Sequence, residues 1–135
     1  EAVSAYGDQQ QSDEKLIVSI NGEEHWNQVL NSCRDLVVVA KFGSPYCPPC
    51  VSLGAMMKKW ANQTYLGRPV VFLDVNVYDE KNEALQIALG VQSLPTVHIY
   101  RGEEKVDDFL CGQKSCGDKY SLFTEKVDAQ LAFFD

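Results

Sequence analysis

Two cysteines three apart, Cys47 and Cys50, close the stretch "LVVVAKFGSPYCPPC" (36–50), with only Pro48 and Pro49 between them. Beyond them Val51, Leu53, Met56, Met57 and Trp60 recur at helical spacing, so the pair opens a helix. A thiol at a helix N-terminus faces N–H groups without helical partners and the positive end of the macrodipole, and both favour its thiolate. Cys47 is therefore expected to be exposed and nucleophilic. Cys50, one turn on, points along the same face and can attack a mixed disulfide formed at Cys47. The prolines cost little in a first helical turn, and they stiffen the loop while removing two backbone donors. These are the requirements of thiol–disulfide exchange. A lone CxxC can also be half of a zinc site, but Cys33, Cys111 and Cys116 form no second CxxC, and His25 and His98 are not at zinc spacing. No metal is expected, and no cofactor is needed. A pair of merely buried thiols fits less well, because "SPYCPP" is loop chemistry.

Two charges stand where charge is expensive. Lys41 interrupts "VVVAKFG" and Asp74 interrupts "VVFLDVNVY", both otherwise apolar. An isolated ammonium or carboxylate inside a sheet carries a large desolvation cost, so each is expected to find the other. The bland alternative has Lys41 snorkelling to solvent and Asp74 near a strand edge. If paired, they sit beneath Cys50, and Asp74 can accept its proton as a mixed disulfide resolves. The candidate catalytic set is thus Cys47, Cys50, Lys41 and Asp74.

The elements that must hold this set read in order. Residues 15–20 are a short β-branched strand, and 21–32 a helix with Asn21 as the cap candidate. Residues 35–43 and 68–78 are apolar on both alternating faces, which marks strands covered on both sides. The cysteine helix spans 47 to about 65. Residues 82–90 form a short helix ended by Gly90, 95–101 and 105–110 a hairpin joined by "GEE", and 119–134 a closing helix capped by Asp118. The order βαβαβαββα implies an α/β fold: a mixed five-stranded sheet flanked by four helices, parallel by crossovers and antiparallel at one edge. The first 14 residues, "EAVSAYGDQQQSDE", are polar and aperiodic and read as a flexible arm before one domain, 15–135.

Composition bounds the partners. With 135 residues and a net charge of −7, the chain is long enough to bury a core and repels nucleic acid and anionic membrane. No apolar run approaches the length of a membrane span. Five cysteines are an odd set, unlike a secreted disulfide framework, and point to redox chemistry in a reducing compartment. The polar arm and the absence of an initiator Met suit a processed organellar form, with the mitochondrion expected ahead of the cytoplasm.

Strand, CxxC, helix and then "SLPT" opening a later strand resemble the thioredoxin family across residues 15 to 135. The resemblance implies that Cys47 attacks, that a buried Cys50 resolves, and that Pro95 is a cis-proline facing the disulfide. It also implies a substrate groove of Tyr46, Pro48, Pro49, Ser93, Leu94, Pro95 and Gly112. The implied partners are disulfide-containing proteins, with thioredoxin reductase or a low-molecular-weight dithiol as reductant and a monomer as the working form. "YCPPC" is also similar to the tryparedoxins, which leaves a glutathione- or trypanothione-dependent reductase open, as does a binding module without catalysis. The chain departs from the family pattern in places. Tyr46 replaces the tryptophan of "WCGPC", Gly43 replaces another three residues earlier, and Ala55 stands where a helix-kinking proline is usual. The family's buried acid precedes the first cysteine by six residues, with a lysine on the adjacent strand; here Lys41 and Asp74 exchange those signs.

The remaining residues read as structural. Cys33 ends a helix and is expected to be inert. Cys111 is expected to be a semi-buried free thiol, because pairing with Cys116 across a helix cap looks geometrically unfavourable. His25 and His98 have no evident partner. "NQT" (62–64) matches a glycosylation acceptor, a short and common pattern. The acids at 103–104 and 107–108 form a solvated hairpin face, which can alternatively select a basic partner.

Overall fold

The computed structural model describes residues 17–112 and 114–135. The arm expected over 1–14 lies outside them. Five strands and four helices alternate as read from the sequence: β1 (Ile17–Ser19), α1 (Glu23–Ser32), β2 (Val37–Gly43), α2 (Pro48–Asn62), β3 (Val70–Asn76), α3 (Glu83–Ala88), β4 (Thr96–Arg101), β5 (Glu104–Leu110) and α4 (Ser121–Leu131). They build one sheet in the order β1-β3-β2-β4-β5. β1 and β2 run parallel to β3, while β4 lies antiparallel to β2 and β5 to β4. β2 is therefore the central strand, and every one of its residues is buried.

Alternation along β2 sends its side chains to two cores. Val38, Ala40 and Phe42 pack with Trp26, Val29, Leu30, Leu85 and Tyr100 beneath α1 and α3. Val37 and Val39 pack with Leu53, Met57, Trp60, Phe72 and Phe123 beneath α2 and α4. Trp60 stacks on Phe123 at 4.6 Å, which ties the cysteine helix to the closing helix. Lys41 follows Val37 and Val39 onto this second face, against α2.

Several boundaries differ from the sequence reading, each for a non-local or turn-level reason. The cap of α1 is Gly22, not Asn21; its backbone N–H donates to Oδ1 of buried Asn82 at 2.8 Å, a partner 60 residues away. The Asn21 N–H donates to His25 Nδ1 at 2.9 Å, so that histidine has a partner after all. Gly90 does follow α3 with φ 70°, the left-handed geometry expected of it. The closing helix begins later than predicted: Asp118–Tyr120 form a 3-10 turn in which Lys119 and Tyr120 are left-handed, and α4 proper starts at Ser121. It ends at Leu131, followed by a 3-10 turn over Ala132–Phe134. The hairpin acids are not simply solvated. Glu103 pairs with Arg34 (3.3 Å), Asp107 with Lys126 (3.2 Å) and Asp108 with Lys105 (2.6 Å).

The largest correction concerns Cys111 and Cys116. Both are fully buried, and they form a disulfide. The intervening loop folds back on itself: Gly112 N–H donates to Ser115 Oγ at 2.8 Å and Cys116 N–H to Gly112 O at 3.2 Å. That turn brings the two Cα atoms to 4.5 Å, within bridging range. Cys111 N–H also donates to Pro95 O at 2.9 Å, so the bridge anchors the loop to the head of β4. Closing so short a loop removes little unfolded-state entropy, and Cys111→Ser/Cys116→Ser is expected to lower stability by about 2 kcal/mol. Urea unfolding of both forms checks this. Cys33 remains a free thiol, buried, with burial pushing its pKa up to about 11, in line with the inert role expected of it.

Candidate active site

The site is assembled where β2 leaves the sheet. Ser44 O accepts from Cys47 N–H at 3.2 Å and Ser44 Oγ from Tyr46 N–H at 3.1 Å, which closes the turn into α2. Cys47 is the N-cap of α2, extended at φ −109° and ψ 107°, with Pro48 and Pro49 in the first turn as expected. Its Sγ accepts from Cys50 N–H at 3.3 Å, one of the N–H groups that the helix itself leaves free. Cys47 and Cys50 form a disulfide, with Cα atoms 5.2 Å apart. Cys47 is half-buried rather than exposed, whereas Cys50 is only 1% accessible. The asymmetry has the sense the sequence predicts.

Lys41 and Asp74 are direct register partners on adjacent parallel strands, which puts their side chains side by side on the α2 face. Lys41 Nζ stands 3.1 Å from Asp74 Oδ1. It also donates to the Cys50 carbonyl at 3.3 Å. The pair predicted from two interrupted apolar runs is therefore formed, and it lies against the first turn of the cysteine helix. Its members differ in exposure: the lysine side chain is 10% accessible and the aspartate 38%. Asp74 opens into a cleft of about 530 Å³ between β1, β3 and α2, lined also by Ser19, Gly54 and Lys58. A proton received there has a path to solvent.

Gly43, in place of a family tryptophan, has a local reason. A Cβ on it would stand 3.0 Å from both Cβ and Sγ of Cys50, so a side chain there presses directly on the disulfide. In place of the usual kink, α2 runs unbroken through Gly54 and Ala55.

The groove residues converge at the same end of the sheet. Thr96 pairs with Phe42 at the close of β2 and with Leu110 at the close of β5, so the Ser93–Pro95 segment and Gly112 flank the cysteine turn. The Leu94–Pro95 bond is cis, as the sequence predicts. Pro48 is exposed and Pro49 half-buried. Tyr46 is 74% accessible, and its ring meets Tyr78 edge-on at 4.8 Å, itself 69% accessible. Tyr78 escaped the sequence reading. A tyrosine after a strand carries no signal until tertiary packing sets it beside Tyr46. His98 lies 3% exposed with Nδ1 at 3.2 Å from Tyr100 Oη; burial, with help from Lys105, pushes its pKa down to about 4, so it is neutral near pH 7. It takes no part in the cysteine site.

Comparison with known proteins agrees with the geometry. The family model described as Thioredoxin matches residues 17–118. The chain is 30% identical over 93 residues to the chloroplastic M-type thioredoxin of Zea mays, covering 69% of this chain and about half of that protein (53%). It is 28% identical to the thioredoxin of Equus caballus, over 73% of this chain and 90% of that one. Among solved structures, thioredoxin f from spinach chloroplast superposes with a TM-score of 0.70 at 25% identity, covering 84% of each chain. With a CxxC disulfide at the N-terminus of α2 and a matched region that spans the sheet from β1 through β5, the chain is a member of the thioredoxin family.

Proposed function

We propose that the protein is a thiol–disulfide oxidoreductase that reduces protein disulfides through Cys47 and Cys50. The observation that carries this reading is the asymmetric pair: a half-buried cysteine at the helix N-cap, bridged to one fully buried a turn behind it. In the reduced protein the Cys47 thiolate attacks one sulfur of a substrate disulfide, and the other sulfur leaves as a thiolate. Cys50 gives up its proton, with Asp74 as the acceptor, and attacks Cys47 Sγ. The second substrate sulfur departs, and the Cys47–Cys50 disulfide remains. The substrate has taken two electrons and two protons, which a dithiol reductant or a reductase must return to the protein. Tyr46, Pro48, Pro49, Ser93, Leu94, Pro95 and Gly112 receive the extended substrate segment around its disulfide.

The competing reading, a fold kept only for binding, has no observation in its favour, since both sulfurs are present and within bridging distance. Insulin reduction driven by dithiothreitol separates the two. The wild type is expected to accelerate precipitation of the insulin B chain strongly, and Cys47→Ser to fall to the rate of dithiothreitol alone. Equal rates for both proteins would reject the enzyme. Regeneration assays that pair the protein with thioredoxin reductase and NADPH, with glutathione or with trypanothione then identify the reductant class.

A further inference from the structure

Gly54 lies inside α2, where glycine is a poor helix former, and its backbone has no need of glycine because it is not left-handed. The reason for it lies across the helix. A Cβ at residue 54 would stand 2.8 Å from Lys41 Nζ, closer than any ordinary contact. Gly43 clears the other side: the point where its Cβ would be is 3.0 Å from Cys50 Sγ and 3.6 Å from Lys41 Cε. Lys41 thus runs between two glycines: Gly43 leaves room for its stem and for the resolving sulfur, and Gly54 leaves room for its ammonium, which donates to the Cys50 carbonyl. Among the described residues, the other charged groups lining the cleft beside Gly54 and Lys41 are Asp74 from β3 and Lys58 from α2; β4 contributes Val97 opposite Lys41.

We propose that Gly54 is a positioning residue that seats the Lys41 ammonium beside Cys50, where the cation stabilises the Cys50 thiolate and makes the couple more oxidising. This rests on the exchange reaction proposed above. In a poorly hydrated site a positive charge near sulfur favours the thiolate over the neutral thiol, and stabilising the reduced form raises the reduction potential. Asp74, on the other side of the ammonium, offsets part of the effect. An alanine at 54 displaces the free end of a flexible lysine rather than backbone, and alanine is the better helix former, so the variant is expected to fold.

The test is equilibrium titration of the Cys47–Cys50 disulfide against dithiothreitol redox buffers for wild type, Gly54→Ala, Lys41→Met and the double variant. Gly54→Ala is expected to become more reducing by about tenfold in the equilibrium constant, about 30 mV for this two-electron couple. Lys41→Met should shift at least as far, and Gly54→Ala should add nothing in the Lys41→Met background. An unchanged potential for Gly54→Ala, or an equal shift with and without the lysine, overturns the proposal. If Lys41→Met does not fold, the thiolate absorbance of Cys47→Ser against Cys47→Ser/Gly54→Ala decides: the signal must appear at higher pH in the second, and coincident curves overturn it. Failure of the reductase reading would register separately, as wild type inactive on insulin.

Discussion

Asp74→Asn is expected to destabilise the protein by about 3 kcal/mol, and Lys41→Met by only about 1 kcal/mol. The asymmetry follows from burial. Removing the carboxylate leaves an ammonium whose side chain is 10% accessible with the Cys50 carbonyl as its one remaining acceptor among the described residues. Removing the ammonium leaves a carboxylate that is 38% accessible and opens onto a cleft, where water can hydrate it. Methionine at 41 also suits its neighbours on that face, Val39 and Met57 among them. The double change Lys41→Met/Asp74→Asn should cost less than Asp74→Asn alone, because no uncompensated charge remains. Urea unfolding of the four proteins yields the cycle. Additive costs, or a lysine variant less stable than the aspartate variant, would contradict the pairing as described.

Cys50→Ser is expected to lower insulin turnover by about a hundredfold or more, because it replaces an intramolecular step of very high effective molarity with attack by millimolar reductant. A serine hydroxyl at this position is no substitute, since it is far less acidic than a thiol and cannot form the S–S bond with Cys47 that releases the substrate. The variant should still react once. Cys47 then stays bound to half of the substrate disulfide, and the mixed disulfide accumulates in stoichiometric amount on non-reducing gels. Turnover close to wild type would show that external thiols, and not Cys50, resolve the intermediate.

The cysteine turn and the charge pair were legible in the sequence because each breaks a local pattern. Two cysteines between prolines at a helix start, and single charges within "VVVAKFG" and "VVFLDVNVY", are conspicuous without any knowledge of neighbours. Parallel pairing of two covered strands then placed Lys41 and Asp74 in register. What escaped depends on tertiary or turn geometry. The Cys111–Cys116 bridge needs the Ser115 hydroxyl and the Gly112 carbonyl to fold the loop, which spacing alone does not convey. Gly22 takes the cap position of α1, with its N–H held by Asn82, remote in sequence. Tyr78 acquires meaning only against Tyr46. In the sequence Gly54 is only a poor helix former inside α2; the ammonium of Lys41, which fills the space it leaves, comes from another strand.

The central claim is that Cys47 attacks and Cys50 resolves. Brief alkylation of the reduced protein with limiting iodoacetamide at mildly acidic pH, followed by peptide mass mapping, tests it most directly. A thiolate favoured at a helix N-cap and reachable from solvent should take the label first. The expected result is single labelling at Cys47, with Cys50 and Cys33 unmodified. Label appearing first on Cys50 would contradict the account.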